Sequence, residues 1–187
     1  QACGGPARAL LVLAPRHPER FDDIATLLQR AFPGVVRRSD LATADRPDVV
    51  LLDSVGELAG LYRLATAAFV GGTLVPAGGH NPLEPAQAGV PVAVGPSMEN
   101  FRDMAEQFDR ALAWRRVRDA QELGAVWREW LENPDAARGQ SQRAAQLLEA
   151  NRGALARTLA LLAPILAEFK LPQSAANLAS PPARLET

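Results

Sequence analysis

Two hydrophobic periods alternate along the first two thirds of the chain. Short, continuous apolar runs are typical of buried strands, and apolar residues that recur every three or four positions are typical of amphipathic helices. Six strands are predicted at residues 8–14, 35–36, 48–52, 67–70, 90–94 and 111–114, and four helices lie between them at 19–32, 56–65, 82–88 and 99–108. This alternation predicts an α/β fold, a Rossmann-like parallel sheet with helices on both faces and ligands at the carboxyl ends of its strands. We expect the first strand to be buried on both faces because its run is continuously apolar.

The last third of the chain predicts a different organisation. Helical periodicity extends over residues 120–132, 134–150 and 152–168. Residues 171–187 are rich in Ala, Pro, Ser and Asn, show no period and predict a disordered tail. The chain is therefore interpreted as one domain over residues 1–170, followed by a tail at 171–187.

Composition narrows the possible functional classes. The 187 residues are 48% hydrophobic, which suffices for a core, and their formal net charge is −1. A nucleic-acid-binding domain would carry a clustered basic excess, so nucleic acid is not an expected partner. Cys3 is the only cysteine, which excludes an intrachain disulfide and a cysteine metal cluster. The most apolar stretch, residues 154–169, is interrupted by Arg157 and Pro164, so we expect no membrane span and a soluble or peripheral protein.

Candidate chemistry begins directly after the first predicted strand, in the segment PRHPER at residues 15–20 (the arginine segment). Arg16 and Arg20 lie near a predicted helix N-terminus, whose free N–H groups already favour an anion. Guanidinium groups at this place suit a phosphate or a sugar carboxylate. A solvated helix start, with Glu19 as a favourable acid in the first turn, explains the same spacing equally well.

The segment after the third strand, residues 53–58, has two interpretations. Ser54 followed three residues later by Glu57 matches a capping box, which predicts a helix N-terminus at Ser54. This leaves Gly56 unexplained, because glycine is a poor helix former in a first turn unless a ligand approaches its backbone closely.

The glycine-rich stretch at residues 71–85 is the most informative part of the sequence. Glycine pairs at 71–72 and 78–79 bracket a loop (the glycine loop, residues 71–79), and Asn81 and Pro82 are typical N-cap and first-turn residues of the next helix. Backbone N–H groups in such a loop form an anion-binding concavity. Glu84 is placed to accept hydrogen bonds from two ribose hydroxyls. An ordinary surface loop is the alternative interpretation.

His17 and His80 are the only histidines of the chain. Neither a two-histidine metal site nor a Ser-His-Asp triad has supporting spacing, so no metal site is predicted. His80, beside a glycine pair, is compatible with a general base, a phosphate contact or a structural side chain. The last two roles are favoured.

Six segments of the chain are informative through their order and spacing. They are PRHPERF (15–21), GEL (56–58), FVGGTLVPAGGHNPLEPA (69–86), GVPVAVGP (89–96), NF (100–101) and EANRGALARTLALL (149–162). Together they resemble the 3-deoxy-D-manno-octulosonic acid (Kdo) transferase family over about residues 8–168. GGHNPLEP with PRHPER upstream is a specific pair, whereas related enzymes share only the looser glycine loop and acid.

The resemblance implies the C-terminal, donor-binding half of a GT-B glycosyltransferase. The implied reaction moves Kdo from CMP-Kdo to a lipid A precursor in lipopolysaccharide biosynthesis, with inversion and without a metal or other cofactor. The implied location is the cytoplasmic face of the bacterial inner membrane, in peripheral contact. The N-terminal acceptor half would supply the general base, so we expect this chain alone to be a soluble, inactive portion of the enzyme.

The resemblance also implies residue roles. Pro15 and Arg16 are expected at the phosphate and base of CMP, residues 56–58 along the nucleotide, and residues 81–84 at the phosphate, with Glu84 on the ribose. The full expected nucleotide-binding set is Pro15, Arg16, His17, Arg20, Gly56, Glu57, Leu58, Gly72, Gly79, His80, Asn81, Pro82, Leu83 and Glu84.

Three departures from the family pattern leave alternatives open. Residues 1–7 stand where the family carries a further strand and a small-residue loop, Ser54-Val55 stands for Thr-Met, and Ser97 stands for a common histidine. The histidine replacement is expected to weaken one donor contact. Two other functions are compatible with the residues: half of another GT-B glycosyltransferase or epimerase that uses a UDP-sugar, and a non-catalytic remnant of a nucleotide-binding domain.

Overall fold

The first part of the chain contains three short strands and two helices. A computed structural model describes residues 9–43 and 46–168. Short 3₁₀ helices precede the first helix, follow the second strand and continue the second helix. The elements are β1 (Leu11–Leu13), a 3₁₀ helix (Pro18–Arg20), α1 (Phe21–Ala31), β2 (Val35–Arg37), a 3₁₀ helix (Arg38–Thr43), β3 (Val49–Leu51), α2 (Leu58–Leu61) and a 3₁₀ helix (Tyr62–Leu64).

The second part of the chain continues the alternation and then becomes helical. The elements are β4 (Ala68–Phe69), α3 (Leu83–Gln87), β5 (Val92–Val94), a 3₁₀ helix (Glu99–Phe101), α4 (Arg102–Arg110), β6 (Arg115–Arg116), α5 (Ala120–Glu132), α6 (Pro134–Ala150) and α7 (Ala154–Glu168). The predictions for α5 and α6 are confirmed at both ends. α7 begins later than predicted because Gly153, with a φ of +86°, leaves the helical conformation.

The six strands of the described residues pair in parallel, which confirms the predicted α/β fold. Hydrogen bonding divides them into two three-stranded sheets, with strand orders β1-β3-β2 and β4-β5-β6. The sequence predicted a parallel sheet, and the described strands form two such sheets. β3 and β5 are the central strands and are buried along their whole length.

Helices cover both sheets with apolar side chains. In the first sheet, Ala25 and Leu28 of α1 pack on Val49 and Leu51 of β3. In the second sheet, a cluster around the buried Trp130 joins α5 to the strands, and its other buried members are Ala93, Val117, Val126 and Ala137. These two cores hold the carboxyl ends of the strands, where the candidate chemistry lies.

Two strand predictions are wrong in detail. β1 is not buried on both faces, because it is an edge strand and Val12 is 40% exposed. The strand predicted at residues 111–114 is the end of α4 and a turn, and β6 follows it. Leu112 has a φ of +50°, and the amide of Ala113 donates back to the carbonyl of Phe108. Backbone of this kind ends a helix and cannot pair in a ladder.

The described residues fall into two compact units, divided after Ala145. The first unit contains both sheets, and the second contains the end of α6 together with α7. Within residues 9–43 and 46–168, no helix combines the length and apolar character that a membrane crossing requires. The predicted tail at 171–187 lies outside the described residues, and the domain over 1–170 stays a prediction.

Candidate functional site

A cavity of about 240 Å³ lies between the loop that follows β1 and the loop that follows β4. It brings together two segments that are far apart in the sequence, the arginine segment and the glycine-rich stretch. Two guanidinium groups and two imidazoles line it, so its walls suit an anion. The lining residues are Leu13, Ala14, Pro15, Arg16, His17, Arg20, Ile24, Gly71 and His80.

Arg16 and His80 join the two loops directly. The Nη1 atom of Arg16 lies 3.0 Å from Nδ1 of His80. A guanidinium has donors only, so Nδ1 accepts and the ring carries its proton on Nε2. Burial lowers the pKa of His80, and the charges of Arg16 and His17 lower it further. The hydrogen bond requires a neutral ring, and the lowered pKa favours that form.

Thr73 anchors the glycine loop from inside the fold. Its side chain is fully buried, and its hydroxyl donates to the carbonyl of Val70 at 2.6 Å. The same oxygen accepts the amide of Gly95 at 2.7 Å, and the amide of Ser97 donates to the carbonyl of Thr73 at 2.9 Å. A Cβ at Gly95 would lie 2.2 Å from the Thr73 carbonyl oxygen, so glycine is the residue that fits there.

Ser97 and Asn100 hold the far end of the glycine loop. Ser97 is 7% exposed, and its hydroxyl accepts the amide of Gly78 at 2.9 Å and donates to Glu99 at 2.7 Å. The Ser97 hydroxyl lowers the pKa of Glu99. The amide of Asn100 donates to the carbonyl of Gly78 at 3.1 Å. Ser97 therefore supports the loop and does not line the cavity.

The amides at the end of the glycine loop are used within the fold. The amide of Gly79 donates to the carbonyl of Gly72 at 3.1 Å, and that of Gly78 donates to a serine hydroxyl. All three glycines have a φ between +70° and +77°, which turns the chain back on itself. The predicted concavity of free loop amides is wrong at Gly78 and Gly79, because both residues are buried and already bonded.

Residues 81–84 form the start of α3 and are divided between surface and core. The helix begins at Leu83, one residue later than predicted, and Pro82 at its N-cap position is fully buried. The predicted N-cap, Asn81, therefore lies one residue before the N-cap position, and its Oδ1 accepts the amide of Leu83 at 3.0 Å. Its Nδ2 donates to Oε1 of Glu84 at 3.3 Å. The exposed Asn81 and Glu84 are therefore available to a ligand, whereas Pro82 supports them from below.

The segment after β3 does not form the predicted capping box. α2 begins at Leu58, with Glu57 at the N-cap position and no side-chain cap. Gly56 has a φ of +92°, so the helical path is interrupted between Ser54 and Glu57. This backbone conformation explains the glycine without a ligand.

Comparison with known proteins identifies the family. No protein-family model matches the chain. Over 162 and 154 residues it is 41% and 39% identical to the 3-deoxy-D-manno-octulosonic acid transferases of Haemophilus influenzae and Bordetella pertussis, matches that cover 84% and 81% of this chain. Its fold is similar to the crystal structure of the C-terminal CMP-Kdo binding domain of WaaA from Acinetobacter baumannii. The TM-score is 0.70 and the identity 36%, over 74% of this chain and 73% of that one. The chain belongs to the 3-deoxy-D-manno-octulosonic acid transferase family.

The family assignment confirms the resemblance carried by the motifs. The chain spans 37% and 36% of the length of the two curated Kdo transferases, and 73% of the WaaA domain. The similarity is thus to one domain of a Kdo transferase.

Three side chains near the predicted site were not in the predicted set. Nε of Arg38 donates to Glu57 at 3.0 Å. Asp53 accepts the hydroxyl and the amide of Ser39 at 2.8 and 3.1 Å. Burial alone would raise the pKa of Asp53, but the hydrogen bonds from Ser39 outweigh it and lower the pKa. Their position could have indicated these residues in the sequence, since they follow the neighbouring strands β2 and β3.

Tyr62 is another residue that sequence reasoning missed. The 3₁₀ helix that begins with it contacts α3, which carries Glu84. Burial raises the pKa of Tyr62, and the charge of Glu84 raises it further. A single tyrosine at helical spacing is not distinguishable from a core residue in the sequence, so no signal was available.

The second sheet supports the glycine loop through Arg116 of β6. Its Nη1 donates to the carbonyls of Gly95 and Pro96 at 3.0 and 3.2 Å, next to the Thr73 anchor. Asp109 accepts from Arg116 at 2.9 Å and from the indole of Trp114 at 2.6 Å. The guanidinium lies 5.5 Å from the centre of the Trp114 ring.

A larger cavity of about 520 Å³ lies beside β6, α5 and α6 and contains none of the predicted site residues. Its charged groups serve the fold, because Arg115 bonds Glu129 at 2.7 and 2.9 Å and Arg143 donates to the carbonyl of Leu112 at 2.9 Å. No group of three His, Cys, Asp or Glu side chains in the part of the chain that the structure describes could hold a metal ion.

Proposed function

We propose that this chain is the donor-binding domain of a Kdo transferase and that it binds CMP-Kdo at the cavity between the β1 and β4 loops. The observation that carries the proposal is the arrangement of Arg16, Arg20, His17 and His80 around one cavity. The similarity to a CMP-Kdo binding domain at 36% identity supports this choice of ligand.

The chemistry of the donor suits this cavity. CMP-Kdo carries two separate anionic groups, the phosphodiester and the carboxylate of the sugar. Arg16 and Arg20 are guanidinium groups on one wall, and guanidinium binds both kinds of anion through paired hydrogen bonds. We assign Arg16 to the phosphate and Arg20 to the second anionic group.

Eight of the remaining predicted residues fall into two groups of four under this proposal. Glu57, Leu58, Asn81 and Glu84 lie at or near the surface and contact the nucleotide, with Glu84 on the ribose hydroxyls. The others support these contacts from within the fold, and they are Gly72, Gly79, Pro82 and Leu83. Gly56 sets the backbone path before Glu57.

In the whole enzyme, the proposed reaction moves Kdo from CMP-Kdo to a lipid A precursor with inversion and without a metal. The residues of this chain contribute by binding and orienting the donor, which converts an encounter of two substrates into a reaction within one complex. The general base and the acceptor site belong to the N-terminal half, which also contacts the inner membrane.

Calorimetric titration of the chain with CMP, UMP and UDP tests the proposal. We expect saturable binding that prefers CMP. A preference for UDP would favour a GT-B enzyme that uses a UDP-sugar, and no binding by a folded sample would favour a non-catalytic remnant.

A substitution at Glu84 tests the ribose assignment. Glu84→Ala removes a charged acceptor of two hydrogen bonds, so we expect the Kd for CMP to rise at least about tenfold. Glu132→Ala, an exposed acid at the end of α5, is the matched control and should leave the Kd unchanged. Equal affinities of the two variants would contradict the role of Glu84.

A further inference from the structure

We infer that His80 is a positioning residue, which holds the guanidinium of Arg16 at the cavity by accepting its hydrogen bond at Nδ1. The inference rests on the proposed function, since it concerns how Arg16 meets the anion of the donor. It gives His80 a role other than a direct contact with the nucleotide.

The first support is the position of Arg16. Its side chain belongs to an exposed loop, and a free arginine side chain loses rotamer entropy when a ligand fixes it. The 3.0 Å hydrogen bond to His80 directs the guanidinium across the cavity before a ligand arrives. An arginine ordered in this way binds an anion more tightly, because less freedom is lost on binding.

The second support is the way in which the fold holds the imidazole. The ring lies against Gly71 and Gly72, where an added Cβ would come within 3.7 Å of Cδ2 and 3.2 Å of Nε2. The backbone of His80 directly follows Gly79, which is buried and bonded to Gly72. The glycine pair therefore makes room for the ring and leaves Nδ1 directed at Arg16.

The third support is the question of which nitrogen atoms of Arg16 and His80 carry protons. Arg16 cannot accept a hydrogen bond, so His80 must be neutral and must carry its proton on Nε2. A cationic His80 would have donors at both nitrogens and would repel Arg16. The same ring cannot hold Arg16 and also offer positive charge to a phosphate.

Two amide substitutions separate the roles of the ring nitrogens. His80→Asn places an amide group near the position of Nδ1, and His80→Gln places one near Nε2. We expect the Asn variant to bind CMP within about threefold of the wild type. We expect the Gln variant to lose about tenfold, as Arg16→Gln does, because one charge-assisted hydrogen bond is no longer formed. The reverse order would overturn the inference.

A double-mutant cycle with CMP as the ligand gives a second measurement. If His80 acts through Arg16, the variant with both Arg16→Gln and His80→Ala should bind no more weakly than Arg16→Gln alone. Losses that multiply would show that His80 contacts the nucleotide independently, and would overturn the inference.

A measurement without ligand distinguishes failure of this inference from failure of the proposed function. Nitrogen-15 NMR of the histidines in the free chain should show His80 with its proton on Nε2, and Arg16→Met should weaken that preference. A proton on Nδ1 would overturn the inference even if CMP binds. If CMP does not bind to the folded wild type, the proposed function fails, while the NMR result still decides whether the Arg16–His80 bond exists.

Discussion

The two walls of the cavity are built in opposite ways. The glycine loop is fixed from inside, with Thr73 fully buried and Gly78 and Gly79 bonded to the protein. The arginine segment lies on the surface, and its 3₁₀ helix contains no buried residue. One wall is therefore a rigid frame, and the other carries charge on long side chains at the surface.

Because of this difference, we expect substitutions in one wall to change mainly stability and substitutions in the other to change mainly ligand affinity. Substitutions beneath the glycine loop remove buried hydrogen bonds or create overlaps, which are costly in a packed interior. Substitutions in the arginine segment remove charge that solvent already screens, and their cost to folding is small. We expect the first wall to determine whether the domain folds and the second to determine how tightly it binds an anion.

The largest effect is expected at Gly95, which supports the rigid wall. Gly95→Ala places a Cβ 2.2 Å from the Thr73 carbonyl oxygen, so the backbone must move. We expect a loss of about 3 kcal/mol or more in the free energy of unfolding, measured by urea denaturation. Gly124→Ala, in α5 with open space around it, should instead stabilise by about 0.5–1 kcal/mol. Similar values for both variants would contradict the described contact.

The next effect is expected at Thr73. Thr73→Val keeps the shape of the side chain but leaves the Val70 carbonyl and the Gly95 amide without their partner. We expect the free energy of unfolding to fall by about 2 kcal/mol. Thr26→Val removes a hydroxyl on the exposed side of α1 and should change it by about 0.5 kcal/mol or less.

The elements of this fold could largely be predicted from the sequence, but the hydrogen bonds that fix the glycine loop could not. Periodicity identified α5 and α6 with their bounds and both central strands, because these segments bury one face or a whole run. Strand-end position brought Arg16 and His80 into one hypothesis, and the cavity contains both. The bond between Thr73 and Gly95 and the bond between Ser97 and Gly78 join residues 22 and 19 positions apart, so no local pattern records them.

The errors near β6 have a local cause, a backbone conformation that the residue types there do not indicate. The turn at Leu112 requires a positive φ, which the sequence normally indicates with glycine. Its apolar neighbours therefore resembled a strand. The nearby strand β6 consists of two arginines, whose type gives no strand signal.

A smaller effect, and one that depends on pH, is expected at Asp109. Burial alone would raise its pKa, but hydrogen bonds from Arg116 and Trp114 outweigh burial and lower it below the ordinary 3.8. A depressed pKa contributes stability that is present above the unfolded value and is lost as pH falls through the folded value. We expect Asp109→Asn to cost about 1 kcal/mol or less at pH 7, since the carboxylate is partly exposed. Thermal unfolding from pH 7 to pH 3 should show this difference shrinking, and a difference that grows would contradict the assignment.

The smallest effect on stability is expected on the opposite wall, at Arg20. Arg20→Gln should change the free energy of unfolding by less than about 0.5 kcal/mol, because the side chain is exposed. The same variant should weaken CMP-Kdo binding several-fold, since one guanidinium leaves the cavity. Arg30→Gln, an exposed arginine at the end of α1, is the control for net charge. A large loss of stability in the Arg20 variant would remove the distinction between the walls.

The Arg116 contacts give the domain a built-in optical reporter. The indole of Trp114 bonds Asp109 and faces the guanidinium of Arg116, which also bonds the carbonyls of Gly95 and Pro96. Displacement of the backbone at 95–96 therefore changes the electric field at an indole, and with it the wavelength at which that tryptophan emits. Emission spectra of the unlabelled chain can thus report any displacement of the backbone at 95–96, with Trp114→Phe as the blank that retains Trp127 and Trp130.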